Sequence, residues 1–361
     1  MLKNLWRTLC VLAFALPLAG AHAQTAKPPL KVGYVYVSPI GQAGWTFQHN
    51  EGRLALERAL GARVTTTIVE GVAEGADSER VMRDLAAQGH GLIFATSFGY
   101  LEPALRVAAE FPGVRFEHAG GFKTAANLNT YNARFYEARY LAGYLAGLTS
   151  RSATAGYVAG FPVPEVVQGI NAFTLGMRAA NPKAVVRVIW LNAWFDPARE
   201  REAALTLIQQ GADVLANHSG SPAVAQTAEE KGVKVFGYQS DMSRFAPTAQ
   251  LAAIVADWGP YYTQVAQAVM AGQWKPEPTW GGMKDGFVQF TALHPSLPPQ
   301  ARTQVLARQR DLLAGRLTIF SAPLTDNQSL LRLKTGALDD TAIARMDWLV
   351  EGVIGSVGKS R

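Results

Sequence analysis

Apolar strands alternating with helices, in two successive rounds, constrain this chain more than any other feature. The first round opens with the β-branched run Leu30–Val37 and a helix over Thr46–Leu60. A strand at Arg63–Val69, a helix at Asp77–Gln88 and the continuous apolar strand Gly91–Ala95 follow. A helix at Leu101–Glu110 and a short strand at Val114–Glu117 close the round. The second round begins with helix Ala138–Leu148, strand Thr154–Ala159 and helix Glu165–Ala180. It continues through strand Ala184–Leu191, helix Pro197–Gln210, strand Val214–Ala216, helix Ala223–Lys231 and strand Val233–Tyr238. Strands separated by helices of this length build parallel sheets from βαβ units.

Two rounds of similar size predict an α/β fold of two Rossmann-like lobes, and 361 residues suffice for a core in each. Asn127–Phe135 and Leu251–Trp258 read as crossings between them. The expected division is 30–130 plus 256–283 for the N-terminal lobe and 131–255 plus 284–361 for the C-terminal lobe. Ligands of open α/β sheets sit beyond the carboxyl ends of the strands. Two such lobes would therefore share one cleft and close on a ligand by hinge motion.

The chain's start has a different character. Lys3 and Arg7 precede the apolar stretch Leu9–Leu18, and Ala21-His22-Ala23 matches a small-x-small cleavage site. The stretch is shorter than the roughly 20 residues that span a bilayer, so a cleaved export signal at 1–23 and a periplasmic location are expected. Cleavage near Ala23 would lower the formal charge from +6 to +4 and remove Cys10, the single cysteine. No run of Lys and Arg supports a nucleic-acid partner.

Strand ends hold the candidate site. Ser38–Trp45 follows the first strand and carries an indole at the helix start; Thr96-Ser97-Phe98-Gly99-Tyr100 follows the third. In the second round the ends carry Asn192–Pro197 with Trp194, Asn217-His218-Ser219-Gly220, and Tyr238-Gln239-Ser240-Asp241. The last crossing carries Asp257-Trp258. Aromatics recurring beside amides, hydroxyls and carboxylates suit a flat heteroaromatic ligand, since stacking gives affinity and edge contacts give selectivity. A sugar also stacks on indoles, so these residues leave both classes open. Catalytic and phosphate-binding signatures are missing from the sequence, and its histidines lack metal-ligand spacing. Asp196 before Pro197 reads as a helix cap, and Arg134 and Glu137 as hinge contacts.

Several segments resemble the basic membrane protein (BMP) family of solute-binding proteins. They are Trp45–Gly52, Tyr140–Gly143, Asn192–Pro197, Gly237–Asp241 and Met346–Gly352, in an order that covers the chain after its leader. The resemblance implies a type I periplasmic-binding-protein fold and delivery of ligand to an inner-membrane ABC permease. It also implies a purine held between two aromatic rings, which by motif position are Trp45 and Trp194. Three departures bear on the sugar. The first loop reads Ser38–Gln42 where acidic residues are usual, Gln239 replaces a carboxylate, and Ala256-Asp257-Trp258 stands where a Lys commonly reaches the ribose. The expected ligand is therefore a purine nucleobase in preference to a nucleoside, with Gln239 and Asp257 reading its edge. Phe98, Ser97, Asn217, Ser219, Asp241 and Trp258 complete the expected ligand-binding set. No catalytic residue, metal or cofactor is expected, and the protein is read as a monomer. The alternatives are a periplasmic hydrolase acting on nucleosides, or a binding protein for a sugar or another small heterocycle. A sugar-responsive regulator of this fold would begin with a helix-turn-helix instead of an export signal.

Overall fold

The computed structural model describes residues 28–358; the expected export signal at 1–23 lies outside them. The first round forms β1 (Leu30–Val35), α1 (Trp45–Leu60), β2 (Val64–Val69), α2 (Ala76–Ala87) and β3 (Leu92–Ala95). It is completed by α3 (Leu101–Glu110), β4 (Arg115–Ala119) and β5 (Leu128–Ala133). The second comprises α4 (Phe135–Thr149), β6 (Thr154–Ala159), α5 (Pro164–Ala180), β7 (Val185–Trp190) and α6 (Pro197–Gln209). Then come β8 (Val214–His218), α7 (Ala223–Lys231), β9 (Lys234–Gln239) and β10 (Gln250–Ala256).

After β10 the chain returns to the first lobe for α8 (Gly259–Met270), which packs on α1, and β11 (Thr279–Gly281). It passes back for β12 (Val288–Thr291) and α9 (Pro299–Leu313), which packs on α4. The tail adds β13 (Leu324–Thr325), β14 (Leu331–Leu333), α10 (Asp340–Ala344) and β15 (Val353–Ile354). None of the helices among the described residues is long and apolar enough to cross a membrane.

Two large sheets result, ordered β11-β5-β4-β3-β1-β2 and β12-β10-β9-β8-β6-β7-β15. Within each, the five strands of one round follow the order 2-1-3-4-5, all parallel. In that order the first and third strands are neighbours whose connections leave in opposite directions, which opens a crevice beyond their carboxyl ends. The crevices fall after β1 and β3 in one lobe and after β6 and β8 in the other.

The two segments read as crossings are mostly strand, and the chain crosses only at their ends. Leu128–Ala133 is strand β5 of the first sheet, and Gln250–Ala256 is strand β10 of the second. β5 carries Asn129, Thr130 and Asn132, a composition unlike an interior strand. Its buried Asn129 nevertheless donates to Glu117, at 3.2 Å, and to Tyr261, at 3.4 Å. The chain passes between sheets at Arg134, at Asp257 and through residues 282–287. Arg134 and Glu137 serve these passages. Arg134 pairs with both oxygens of Asp340 and donates to Trp280 O, while Glu137 accepts from the Met283 amide at 2.7 Å.

Helices α4 and α5 cover one face of the second sheet at unusually close range. A Cβ on Gly143 would sit 1.9 Å from Phe173 O, and one on Gly176 2.1 Å from Tyr140 O. Only glycine permits that backbone approach. It seals Ile170, Phe173 and Leu141 into a core where each apolar side chain stabilises by about 1.5–3 kcal/mol.

Candidate functional site

One cavity of about 50 Å³ lies where the two crevices meet. Val37, Ser38 and Trp45 reach it from beyond β1, Ser97 and Phe98 from beyond β3, and Ala119 and Gly120 from β4. Across from these, Val163 and Glu165 come from the α5 start, Trp194 from beyond β7, His218, Ser219 and Gly220 from β8, and Tyr238 from β9. Phe98, Gly120 and Glu165 also border an outer hollow of about 800 Å³ that carries Gln168, Asp340 and Arg345.

Both indoles are held by their nitrogens. Trp45 Nε1–H donates to Thr96 O at 2.7 Å, and its ring meets His49 edge-on at 4.4 Å. His49 in turn stacks on Trp258, 4.9 Å away and 6° from parallel. Trp194 Nε1–H donates to Glu74 Oε1 at 3.1 Å, and Phe161 meets its ring edge-on at 4.9 Å. Fixed rings present apolar faces without the entropic cost of ordering them on binding.

Of the ten residues expected from sequence, Trp45, Ser97, Phe98, Trp194 and Ser219 line this cavity. The other five do not. Asn217 lies behind Ser219 and donates to its carbonyl and hydroxyl, at 3.2 and 3.1 Å. Gln239 is fully buried at φ +64°, with neither amide atom partnered by protein. Asp241 is exposed and shapes its own turn, accepting from the Ser243 amide and Gln250 Nε2. Asp257 accepts from the Gly259 amide at the start of α8. Trp258 is 1% exposed, packed behind Trp45. All five lie at or just beyond strand ends; Asn217 and Trp258 pack within the protein, and Asp241 and Asp257 engage their own turns.

Other groups were less visible in the sequence. Glu165 stands in the first turn of α5, and only its place opposite Gly120 brings it to the cavity. Glu74 lies in the loop after β2, outside every motif of the sequence. Its Oε1 accepts from Ser97 Oγ, the Gly99 amide and Trp194 Nε1. Arg139 is completely buried, 3.7 Å from the Tyr238 ring centroid, and donates to Asn217 O at 2.6 Å.

His218 Nε2 lies 3.0 Å from Tyr238 Oη and 3.3 Å from Glu165 Oε1. Burial lowers its pKa from the ordinary value, and the Glu165 carboxylate only partly offsets this. The ring is therefore neutral near pH 7. Nε2 is shared between the Tyr238 hydroxyl and Glu165, while Nδ1 is buried without a protein partner. Among the described residues, no His, Cys, Asp or Glu group has the clustering needed for a metal ion.

Comparison with known proteins gives the family. Residues 30–317 match the Bmp family, described as ABC transporter substrate-binding protein PnrA-like. A purine-binding protein of Brucella abortus is 46% identical over 92% of this chain and 95% of its own. A Haloferax volcanii protein, named as an ABC transporter glucose-binding protein, is 37% identical over 91% of this chain and 81% of its own. An ABC-transporter solute-binding protein from Aeropyrum pernix superposes with a TM-score of 0.68 at 17% identity, covering 87% of this chain and 95% of its own. One from Conexibacter woesei gives 0.65 at 23% identity, covering 80% and 97%. These two establish the expected periplasmic-binding-protein fold. The chain belongs to the Bmp, PnrA-like family of ABC transporter substrate-binding proteins.

Proposed function

We propose that this protein captures a purine base between its two lobes outside the cytoplasm and hands it to an inner-membrane ABC permease. The carrying observation is that Trp45 and Trp194, supplied by opposite lobes, border one narrow cavity at the crevices of both sheets. Each base–indole stack contributes about 1–3 kcal/mol. The Brucella abortus relative, named for purine binding, supports the ligand class. Base is preferred to nucleoside because no Lys or Arg lines the inner cavity to meet ribose hydroxyls. The lobes would hinge at Arg134, Asp257 and 282–287, with ligand favouring the closed form through its contacts to both walls. The protein acts as an exported monomer and performs no reaction.

Calorimetry with purine bases, their nucleosides and glucose tests the reading. Bases should bind and glucose should not, with Trp194→Ala weakening the bases by roughly tenfold or more. Binding of nucleosides alone would overturn the preference for bases. Binding of glucose alone would overturn the purine assignment and favour the sugar, in line with the Haloferax volcanii relative's name.

A further inference from the structure

Nearly every polar side chain bordering the inner cavity is already engaged within the protein. Ser38 Oγ is 2.7 Å from Thr46 Oγ1, and Ser97 Oγ donates to Glu74. Ser219 Oγ accepts from Asn217, and the indole nitrogens donate to Thr96 O and Glu74. Tyr238 Oη meets His218. Two groups stand apart. Glu165 touches protein polar atoms only through Oε1, at His218, while Oε2 faces Gly120, 3.7 Å from where a Cβ there would sit. His218 Nδ1 is buried without a protein partner. No cation borders this wall; the nearby buried charge, Arg139, lies behind the Tyr238 ring.

We propose that Glu165 is the specificity-determining residue of the cleft: its carboxylate accepts a hydrogen bond from an N–H on the ligand's edge. The protein thereby selects neutral heterocycles with a donor at that edge and rejects those that are anionic or N-alkylated there. This inference rests on the purine reading above and adds to it which chemical edge is read and by what. The reasoning is one of complementarity. A carboxylate oxygen facing the ligand leaves a ligand acceptor unpaired and a ligand anion repelled, and either mismatch in a desolvated site is costly. His218 Nε2 lies 3.3 Å from Oε1, so Oε2 is the oxygen that meets the ligand.

The test titrates wild type and Glu165→Gln with adenine, hypoxanthine and guanine by calorimetry, then with methylated forms of the base that binds tightest. A hydrogen bond to a charged group corresponds to about ten- to a hundredfold in affinity. Glu165→Gln should therefore weaken the tightest-binding base at least tenfold, with its ligand-free melting temperature within a few degrees of wild type. One N-methylated form should bind wild type at least tenfold more weakly, yet bind the variant no worse than the parent base does. The ligand-side comparison uses wild-type protein and stands even if the variant folds poorly. Binding by the variant within twofold of wild type, or no N-methyl form discriminated, would overturn the role of Glu165 and leave the purine reading intact. Wild type binding none of the three bases would overturn both.

Discussion

Glu74 and Trp194 join the two lobes directly: the indole Nε1–H beyond β7 donates, at 3.1 Å, to a carboxylate in the loop after β2. The same oxygen accepts from Ser97 Oγ at 2.7 Å and the Gly99 amide at 2.8 Å, so the carboxylate is fixed before Trp194 arrives. A bond made only when the lobes are shut contributes to closure, and so to affinity, by its full differential value. Glu74 is exposed, which reduces that value below the figure for a buried charged pair. Glu74→Ala is expected to weaken ligand binding roughly three- to tenfold, mainly through faster dissociation. Stopped-flow release from the variant at the wild-type rate would dissociate Glu74 from closure.

Gly44 gives a sharper test of the same closed state. It adopts φ +94°, and a Cβ there would sit 2.1 Å from the carbonyl oxygen of Gly220 in the opposite lobe. Its amide also donates to Ser240 Oγ at 3.1 Å, and Ser240 reaches Gln48 Oε1 at 3.2 Å. A methyl group cannot be accommodated against backbone, so Gly44→Ala should hold the lobes apart and reduce affinity by more than tenfold. The strained φ alone costs about 1 kcal/mol of stability, so the ligand-free protein should still melt cooperatively. Small-angle scattering should find the variant extended with saturating ligand present; a ligand-induced compaction equal to wild type would refute the steric block.

How far the sequence led depends on the kind of residue. Strands such as Leu92–Ala95 were legible because burial on both faces demands an unbroken apolar run. β5 was not, because its polar Asn129 finds Glu117 and Tyr261 as partners from elements distant in sequence. Trp45 and Trp194 follow β1 and β7 across a loop, so the strand pattern brought them into view and the family resemblance singled them out as the two rings. Trp258 met the same criterion, but the packing of α8 on α1 buries it behind Trp45, a tertiary outcome that local spacing does not encode. Glu165 opens a helix instead of following a strand directly, and its importance emerges only from the unpaired oxygen facing Gly120. The tail beyond 284 lacked the βα rhythm, and its short strand β15 found a place by pairing with the edge of β7.

Beneath Trp45, His49 is fully buried and its imidazole is pushed down to about 3 by loss of solvent. The unfolded chain takes up that proton near 6.5, so below this pH unfolding binds a proton that the folded state refuses. Stability is complete above 6.5 and is lost as pH falls toward 3, by about 1.4 kcal/mol per pH unit for one such group. His118, pushed down to about 4, adds a similar slope. His49→Gln should lower stability at neutral pH by removing the stack on Trp258, while flattening the decline between pH 6.5 and 4. Urea unfolding curves whose midpoints fall in parallel for the two proteins would show that His49 is not the titrating group.

Glu117 imposes the opposite dependence. It is buried beneath Trp274 and accepts from Tyr261 Oη and Trp274 Nε1, each at 2.7 Å, and from Asn129 Nδ2 at 3.2 Å. Burial raises its pKa to about 7 from an ordinary 4.5, although the three donors pull it back down. The folded protein thus keeps a proton that the unfolded chain gives up above 4.5. The stabilising contribution is complete below 4.5 and disappears as pH rises through 7. Glu117→Gln offers a neutral acceptor at every pH, so its stability relative to wild type should climb across that window, again by about 1.4 kcal/mol per pH unit. The residue borders a hollow with Tyr261 and Trp274 and does not line the Trp45–Trp194 cavity. Ligand affinity should consequently be the same in the variant and in wild type. A constant stability difference between pH 5 and 7.5 would mean that Glu117 is ionised in the folded protein throughout, with its three donors outweighing burial.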